Sequence, residues 1–455
     1  MQNDKSSQSN FPSPSPSHNT PSPADLQGLF VAAVSAHQAG RYDEAEQLYG
    51  RVRALRPDNV NLLCNLGLLY RDMGRPSQAL ARLQEARALA PDNFAVNLNI
   101  GALFEEQGEL DQAVIAYRTA QELAPHDPRV MNNLGKALYQ QGDRPGALDY
   151  LNRAVALAPD YAMAHNNLGV LLNSLGRLEE AIACFRKALA HDEQNCDILY
   201  NLAGALSLVG GNDEARTCYE KLLDIEPRHA AARHMLAALS GMATAKAPAA
   251  YVVDTFDRYA GHFDNQLTEQ LGYRVPELLG RAVAQTMGDA PFRHCLDLGC
   301  GTGLSGLAFK DLAVQMSGVD LSPRMLAQAR AKAIYDTLHQ EDVVTFLERG
   351  ESTFDLFVAT DVFIYIGDLR PLFAALRGRA AAKACFAFSI ETIDEDREGA
   401  ADHLLRSSGR YAHSVAYVER LAEQGGFGVV DRKPCTIRKE QGSWLTGHLF
   451  VLRAW

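Results

Sequence analysis

The sequence carries no surplus of basic charge. Its 55 acidic side chains outnumber 44 basic ones, for a formal net charge of -11, and its basic groupings, such as Arg432, Lys433, Arg438 and Lys439, are short. Clustered Lys and Arg that displace counterions are what hold a phosphate backbone, so nucleic acid is set aside as a partner. Paired cysteines are missing too. The eight cysteines (64, 184, 196, 218, 295, 300, 385 and 435) form no CxxC and have no histidines nearby at ligand spacing. That excludes a zinc centre or a disulfide framework as the first reading and leaves free thiols of a reducing compartment. No apolar run approaches the roughly 18 residues of a membrane span. The N-terminus lacks the charged start and apolar stretch of a signal peptide. The expectation is a cytoplasmic protein with no metal, no membrane partner and no nucleic acid.

At 455 residues the chain exceeds the size at which one core stops growing. Residues 1–24 are almost all Ser, Pro, Asn and Gln, too poor in apolar side chains to offset the entropy of ordering, and are expected to be a disordered tail. From Leu26 to His229 the sequence repeats with a period of 34. Prolines close the units at 57, 91, 125, 159 and 227, with Glu193 in the fifth. Glycines recur at 40, 74, 108, 142, 176 and 210, and alanines follow five residues later. A Leu-Gly-like pair opens the units (Leu66-Gly67, Ile100-Gly101, Leu134-Gly135, Leu168-Gly169, Leu202-Ala203), with Ala32-Ala33 in the first. Six units in register resemble the tetratricopeptide repeat, which implies an all-α superhelix of helix pairs over residues 25–240, ending in a capping helix near 230–240.

One asparagine precedes each Leu-Gly-like pair of units two to six: Asn65, Asn99, Asn133, Asn167 and Asn201. First helices line the concave face of such an array, so these amides form a ladder able to donate to and accept from an extended peptide backbone. The pattern is similar to the repeats of O-GlcNAc transferase, and the resemblance implies a protein or peptide partner there. Bonding between neighbouring helices is the alternative role.

After a linker at 241–249, residues 250–455 change to apolar strands alternating with helical stretches, the pattern of an α/β domain with a mostly parallel sheet. Strands are expected at 294–298, 315–319, 354–359, 384–390, 428–432 and 449–453. The first runs into Asp297-Leu-Gly299-Cys-Gly301-Thr-Gly303, a glycine turn before a helix. Such a turn lets a ligand lie against backbone, and the helix start offers unpaired N–H groups. Asp320 ends the next strand, where a carboxylate accepts from ribose hydroxyls. A nicotinamide dinucleotide would also fit glycines 301, 303 and 306. Asp297, however, suits the cationic amine of S-adenosylmethionine and sits badly beside a pyrophosphate.

The DLGCGTG string resembles motif I of class I methyltransferases, which implies a Rossmann-like fold and S-adenosyl-L-methionine as cofactor. By that resemblance Leu321 and Met325 flank the adenine and Asp342 contacts its amine. The segment Phe354–Val362 resembles motif IV, placing Thr360 and Asp361 where the methyl is transferred. It lacks the Asn/Asp-Pro-Pro-aromatic tetrapeptide of enzymes that methylate base or glutamine amines. Around Arg377–Lys383 the chain also departs from the Pro-Gly-Gly turn of many relatives.

Methyl transfer from a sulfonium is an in-line displacement that needs a base only when the acceptor must lose a proton. Candidates lie in Ser408–Ser414, with His413 as base, Tyr411 beside it and Arg410 as an anion clamp; packing on the surface is the alternative. Residues 251–264 alternate aromatic and acidic side chains at helical spacing and are expected to cover the cofactor as a lid or simply to pack. With FDLFVATDVFIYIGDL and SGRYAHS, the domain resembles a group of bacterial tetratricopeptide-repeat methyltransferases. A methyltransferase acting on a recruited protein or peptide is the leading reading. A small-molecule or carrier-tethered O-methyltransferase, and a non-catalytic scaffold, remain open.

Overall fold

The computed structural model describes residues 23–455 except 243, 262, 289, 290, 400, 441 and 442. Most of the expected tail, up to residue 22, and His262 of the expected lid lie outside the described residues. Contacts group the chain into two compact units, residues 1–192 and 193–455.

Among the described residues the first unit is ten helices in pairs: α1 (Pro23–Gln38), α2 (Tyr42–Leu55), α3 (Val60–Asp72), α4 (Pro76–Leu89), α5 (Phe94–Glu106), α6 (Leu110–Leu123), α7 (Pro128–Gln141), α8 (Arg144–Leu157), α9 (Ala162–Ser174) and α10 (Leu178–His191). Local chemistry sets these boundaries. Asn59, Asn93 and Asp127 cap α3, α5 and α7 by accepting from the N–H groups of Leu62, Val96 and Arg129. Glycine closes each first helix in the left-handed region, as at Gly142 with φ 91°. The Leu-Gly glycine answers a different need. A Cβ on Gly101 or Gly169 would run into the rings of Tyr117 or Phe185 on the paired helix. Leu83 and Ala86 of α4 share a core with Leu63 of the paired α3 and with Val96 and Ile100 of α5 in the next pair.

The second unit starts with the sixth helix pair, α11 (Cys196–Leu208) and α12 (Asn212–Ile225), then α13 (Ala230–Leu239) at the place expected for the cap, and α14 (Ala249–Tyr259). The strands follow: β1 (Phe292–Leu298), β2 (Ala313–Asp320), β3 (Thr337–Gln340), β4 (Phe354–Ala359), β5 (Ala380–Glu391), β6 (His403–Leu405), β7 (Tyr411–His413), β8 (Phe427–Glu440) and β9 (Ser443–Ala454). Seven form one sheet in the order β3-β2-β1-β4-β5-β9-β8, and β6 pairs with β7. β1 to β5 pair in parallel, while β9 runs antiparallel to β5 and β8. This is a Rossmann-like α/β domain whose strand order reverses between β1 and β4.

Alternate residues of each strand feed separate cores, which is why the strands read as continuous apolar runs. Leu296, Phe357, Phe386 and Leu452 face one layer of helices, and Cys295, Leu356, Cys385 and Val451 face helix Val275–Met287 on the other side. The expected strands are present. β3 escaped the reading because its four residues are largely exposed and carry no apolar alternation. β8 and β9 extend further than expected as a long hairpin. Where relatives have Pro-Gly-Gly, helix Arg370–Arg379 leads straight into β5, and the buried Arg379 guanidinium donates to the carbonyls of Leu347 and Phe346. Among the described residues, no helix is long and apolar enough to cross a membrane.

Candidate functional site

A cavity of about 340 Å³ lies at the C-terminal ends of β1, β2 and β4, the crevice that a reversal of strand order opens in an α/β sheet. The turn after β1 forms its floor. Gly299, Gly301 and Gly303 all have positive φ, 66°, 53° and 93°. Left-handed backbone at three alternate positions is affordable only for glycine.

Asp320, half-buried at the end of β2, accepts from the N–H groups of Gly301 (2.9 Å) and Ser322 (2.8 Å). Burial nonetheless pushes its pKa up. Asp297 is buried at the end of β1. Its Oδ2 accepts from Ser305 Oγ (2.8 Å) and Tyr335 Oη (2.6 Å), and Oδ1 has no partner among the described residues. Burial pushes this carboxyl up to about 7, against the hydroxyl hydrogen bonds that hold it down.

Of the expected cofactor residues, Gly299, Gly301, Asp320, Leu321, Asp342 and Thr360 line the cavity, together with Asp361. Asp342 does two jobs. It caps helix Val343–Arg349 by accepting from the N–H groups of Val344 and Thr345 (both 3.2 Å), and its Oδ2 lies 3.3 Å from Lys246 Nζ. Asp297, Gly303 and Met325 are outside the lining. Asp297 is bonded to the lining Ser305 and Gly303 follows the lining Thr302, while the Met325 N–H donates to Oγ of Ser322, the residue after the lining Leu321.

Two acceptor-side expectations are corrected. His413 is fully buried, and its Nε2 lies 2.9 Å from the carbonyl of Ile366 and 3.1 Å from that of Gly367. A carbonyl only accepts, so Nε2 carries the proton and Nδ1 is left enclosed without a partner among the described residues. Burial lowers the pKa of this ring to about 4. It braces β7 and does not reach the cavity. Tyr411 is equally buried, with its hydroxyl bonded to Thr244. Both side chains face inward from β7 of the two-stranded β6–β7 hairpin.

Arg410, the remaining candidate of that segment, does line the cavity. Beside it stands Arg438, only 3% exposed, which in the sequence is one of a short basic grouping. Arg438 Nη1 donates to both oxygens of Asp361 (2.7 and 2.5 Å) and Nη2 to Glu391 (2.6 Å). Asp361 itself has φ 60°, costly for a non-glycine residue and held here by that grip and by its N–H donating to Ser389 Oγ at 3.0 Å. Tyr335 was missed as well. Its only advance sign is an aromatic residue between two expected strands.

The expected lid is α14 and the turn after it. Val252, Thr255, Phe256 and Phe263 line the cavity. The segment is pinned to the glycine turn and to the loop after β2: Ser322 Oγ donates to Asp257 (2.5 Å), and Asp264 takes Lys332 Nζ (2.5 Å) and the Thr302 hydroxyl.

Comparison with known proteins separates the two architectures. Models of the tetratricopeptide repeat match residues 25–92, 64–128, 132–195 and 172–239, and a methyltransferase-domain model matches residues 295–380. The chain joins tetratricopeptide repeats to a methyltransferase domain. The human methyltransferase-like protein 27 is 36% identical over 107 residues, a stretch covering 22% of this chain and 42% of that protein. The chain thus spans less than half of that relative. Among solved structures, the repeats resemble the anaphase-promoting-complex assembly Cut9–Hcn1 (17% identity, TM-score 0.45, 49% of this chain and 44% of that one). They also resemble YrrB, described as a tetratricopeptide-repeat protein with an unusual peptide-binding site (22% identity, TM-score 0.32, 41% of this chain and 96% of that one).

In the tetratricopeptide repeats of the first unit, Asn65, Asn99, Asn133 and Asn167 occupy one half-buried position on α3, α5, α7 and α9, and Asn201 takes the same position on α11 of the second unit. Several of these amides already make internal hydrogen bonds. Asn65 Nδ2 donates to the Asn61 carbonyl (3.0 Å), Asn167 Nδ2 donates to Asn132 Oδ1 (2.8 Å), and Asn132 Nδ2 donates to Asn133 Oδ1 (3.1 Å). An amide offers two donor hydrogens and two acceptor lone pairs, so one such bond leaves capacity for a ligand.

Proposed function

We propose that the protein is a class I, S-adenosylmethionine-dependent methyltransferase acting on a protein or peptide held by its repeats. The observation that carries the donor assignment is the convergence of Gly299, Gly301, Asp320, Leu321, Asp342 and Thr360, drawn from four separate stretches of chain, on one cavity. In this reading Asp320 accepts from the ribose hydroxyls, and Leu321 with Met325 flanks the adenine. Asp342 meets the adenine amine, and Asp297 offsets the charge of the methionine ammonium. Residues 294–320, with their glycine turn and two acids, supply shape and charge for a cationic nucleoside.

S-Adenosylmethionine brings an electrophilic methyl group on sulfur; the protein's own task is to fix the line of approach. Phe256, Phe263 and Leu267 close the cavity against water from the lid side. The Asp361–Arg438 ion pair fixes the end of β4, where the acceptor must approach. The domains are read as 25–240 for the repeats and cap, 241–249 for the linker and 250–455 for the methyltransferase. The linker is anchored to the site: Ala245 O accepts from Gly367 (2.9 Å) and Asp368 (2.8 Å), and the Ala247 N–H donates to the Tyr365 carbonyl (2.9 Å).

Recruitment by the repeats raises the local concentration of an acceptor side chain at the donor. With isotopically labelled methyl donor and host lysate, label is expected in protein. Replacing Asn99, Asn133 and Asn167 together by Ala should lower that incorporation roughly tenfold, as loss of several peptide hydrogen bonds implies, while calorimetric donor affinity stays unchanged. Label confined to small molecules, or incorporation indifferent to the triple variant, would sink the recruitment reading.

A further inference from the structure

The cavity is electrostatically divided. On the side of β2 and β3 its charged lining is Asp320, Asp342 and Lys246, two acids against one base, and Lys246 is paired with Asp342. On the side of β4, β7 and β8 it is Arg410, Arg438 and Asp361, two guanidinium groups against one acid. Two of the acids that offset these guanidinium groups stand back from the cavity. Glu391, 2% exposed, takes Arg438 Nη2, and Glu440 takes Arg410 Nη1; neither lines the space. Glu391 is itself held by Arg406 Nη1 at 3.0 Å. Burying the Arg438 guanidinium and half-burying that of Arg410 is costly unless their charge is used or matched.

A second property of the same wall is its lack of a usable base. Its titratable groups among the described residues are Tyr273, Tyr365, Asp361 and the two arginines. Burial raises the pKa of both tyrosines, so they stay protonated. Both oxygens of Asp361 accept from Arg438, so this carboxylate is engaged in an ion pair. An alcohol or an ammonium acceptor must lose a proton before or during attack. A carboxylate need not.

We infer that the methyl acceptor is a carboxylate, held by Arg410 and Arg438 and converted to a methyl ester. This rests on the methyltransferase reading and names its acceptor class. A guanidinium carries five N–H donors in a fork that matches a carboxylate. One acceptor oxygen takes such an N–H, and a lone pair of the other attacks the methyl carbon. The new C–O bond forms as the C–S bond breaks, and its electron pair returns to sulfur. A carboxylate and a sulfonium thereby become a neutral ester and a neutral thioether, with no proton gained or lost. The cavity has acids on its β2–β3 side and two guanidinium groups on its β4–β8 side, a division that suits a cationic donor and an anionic acceptor. The acid is either a side chain or C-terminus of a protein or a free small-molecule acid.

Methyl esters release methanol in alkali, whereas N-methyl, S-methyl and ether products do not. The full chain is incubated with donor labelled in the methyl group and with host lysate. Protein and small-molecule fractions are then separated, each is treated with alkali, and volatile labelled methanol is counted. Most of the label is expected to appear as methanol, and the fraction that yields it tells protein from free acid. Arg410→Gln should cut the methanol roughly tenfold, the loss of one charge-assisted contact, with partial recovery in Arg410→Lys and donor affinity within about twofold of the unaltered protein by calorimetry. Alkali-stable label overturns the carboxylate acceptor and leaves the methyltransferase reading standing. So does label that ignores Arg410→Gln, or the absence of labelled methanol both from lysate and from a panel of short mono- and dicarboxylates and acidic peptides. Failure of the unaltered protein to bind donor would remove both.

Discussion

The Asp297 carboxyl is buried beneath the glycine turn, with two hydroxyl donors on one oxygen and none on the other among the described residues. Burial raises its pKa from 3.8 to about 7. The folded chain therefore binds more protons than the unfolded one between those values, and stability from this group is present below about pH 4 and lost as pH rises through about 7. Donor binding runs the other way, because an ammonium beside Asp297 favours the ionised form. Affinity for S-adenosylmethionine should climb up to about tenfold per pH unit as pH approaches 7 from below, then level off. Asp297→Asn should flatten that climb and weaken binding at pH 8, while raising the melting temperature of the unliganded protein there. Calorimetry across pH 5.5–8 with parallel melting curves checks both signs. An unchanged pH profile in the variant would remove Asp297 from the donor site.

At the level of elements, legibility followed the range of the interaction. The six repeats, the glycine turn and Asp320 were readable because each is fixed by chemistry within a few residues: a left-handed turn, a cap, or a strand end. Arg438 and Tyr335 were not, since their partners Asp361 and Asp297 lie far away in sequence and only the sheet order unites them. The β6–β7 hairpin shows the same limit. Its three-residue strands carry too little alternation to read, so the sequence alone does not show that His413 and Tyr411 face inward. The hairpin's outer end is held from afar as well. His234 of α13, 3% exposed, lies with Nε2 2.9 Å from the Gly409 carbonyl, the residue before Arg410. Gly409 has φ 78°, and a Cβ there would collide with Met235 of the same helix and the Tyr251 hydroxyl of α14. His234→Ala should leave that buried carbonyl unpaired at a cost of about 1–3 kcal/mol. Hydrogen exchange of residues 404–410 should quicken while that of β1 and β4 holds, and His234→Gln should restore part of the protection. Equal exchange in His234→Ala and the unaltered protein would show that α13 does not brace the arginine wall.

For the whole molecule, the change of architecture at residues 241–249 and the division of contacts after residue 192 are different boundaries, and truncation separates them. The sixth helix pair and α13 are repeat-like in sequence, yet they belong with the methyltransferase domain in one compact unit. A chain lacking residues 1–192 keeps α11–α13, the His234 bond to Gly409 and the α14 contacts of that bond. A chain lacking residues 1–240 loses the helix that covers Gly409, although its sequence starts at the apparent domain border. The shorter deletion should therefore melt in one transition and bind donor within a few-fold of the full chain, while losing methyl transfer to a recruited protein together with four of the five ladder asparagines. The longer deletion should melt several degrees lower, as a loss of about 1–3 kcal/mol implies, and should bind donor without supporting ester formation, because Arg410 follows the unbraced Gly409. Identical melting and transfer in the two deletions would mean that the last repeat serves recruitment alone. If the longer one is the worse enzyme toward free carboxylates as well, α13 is part of the acceptor wall and not only of the array that delivers to it.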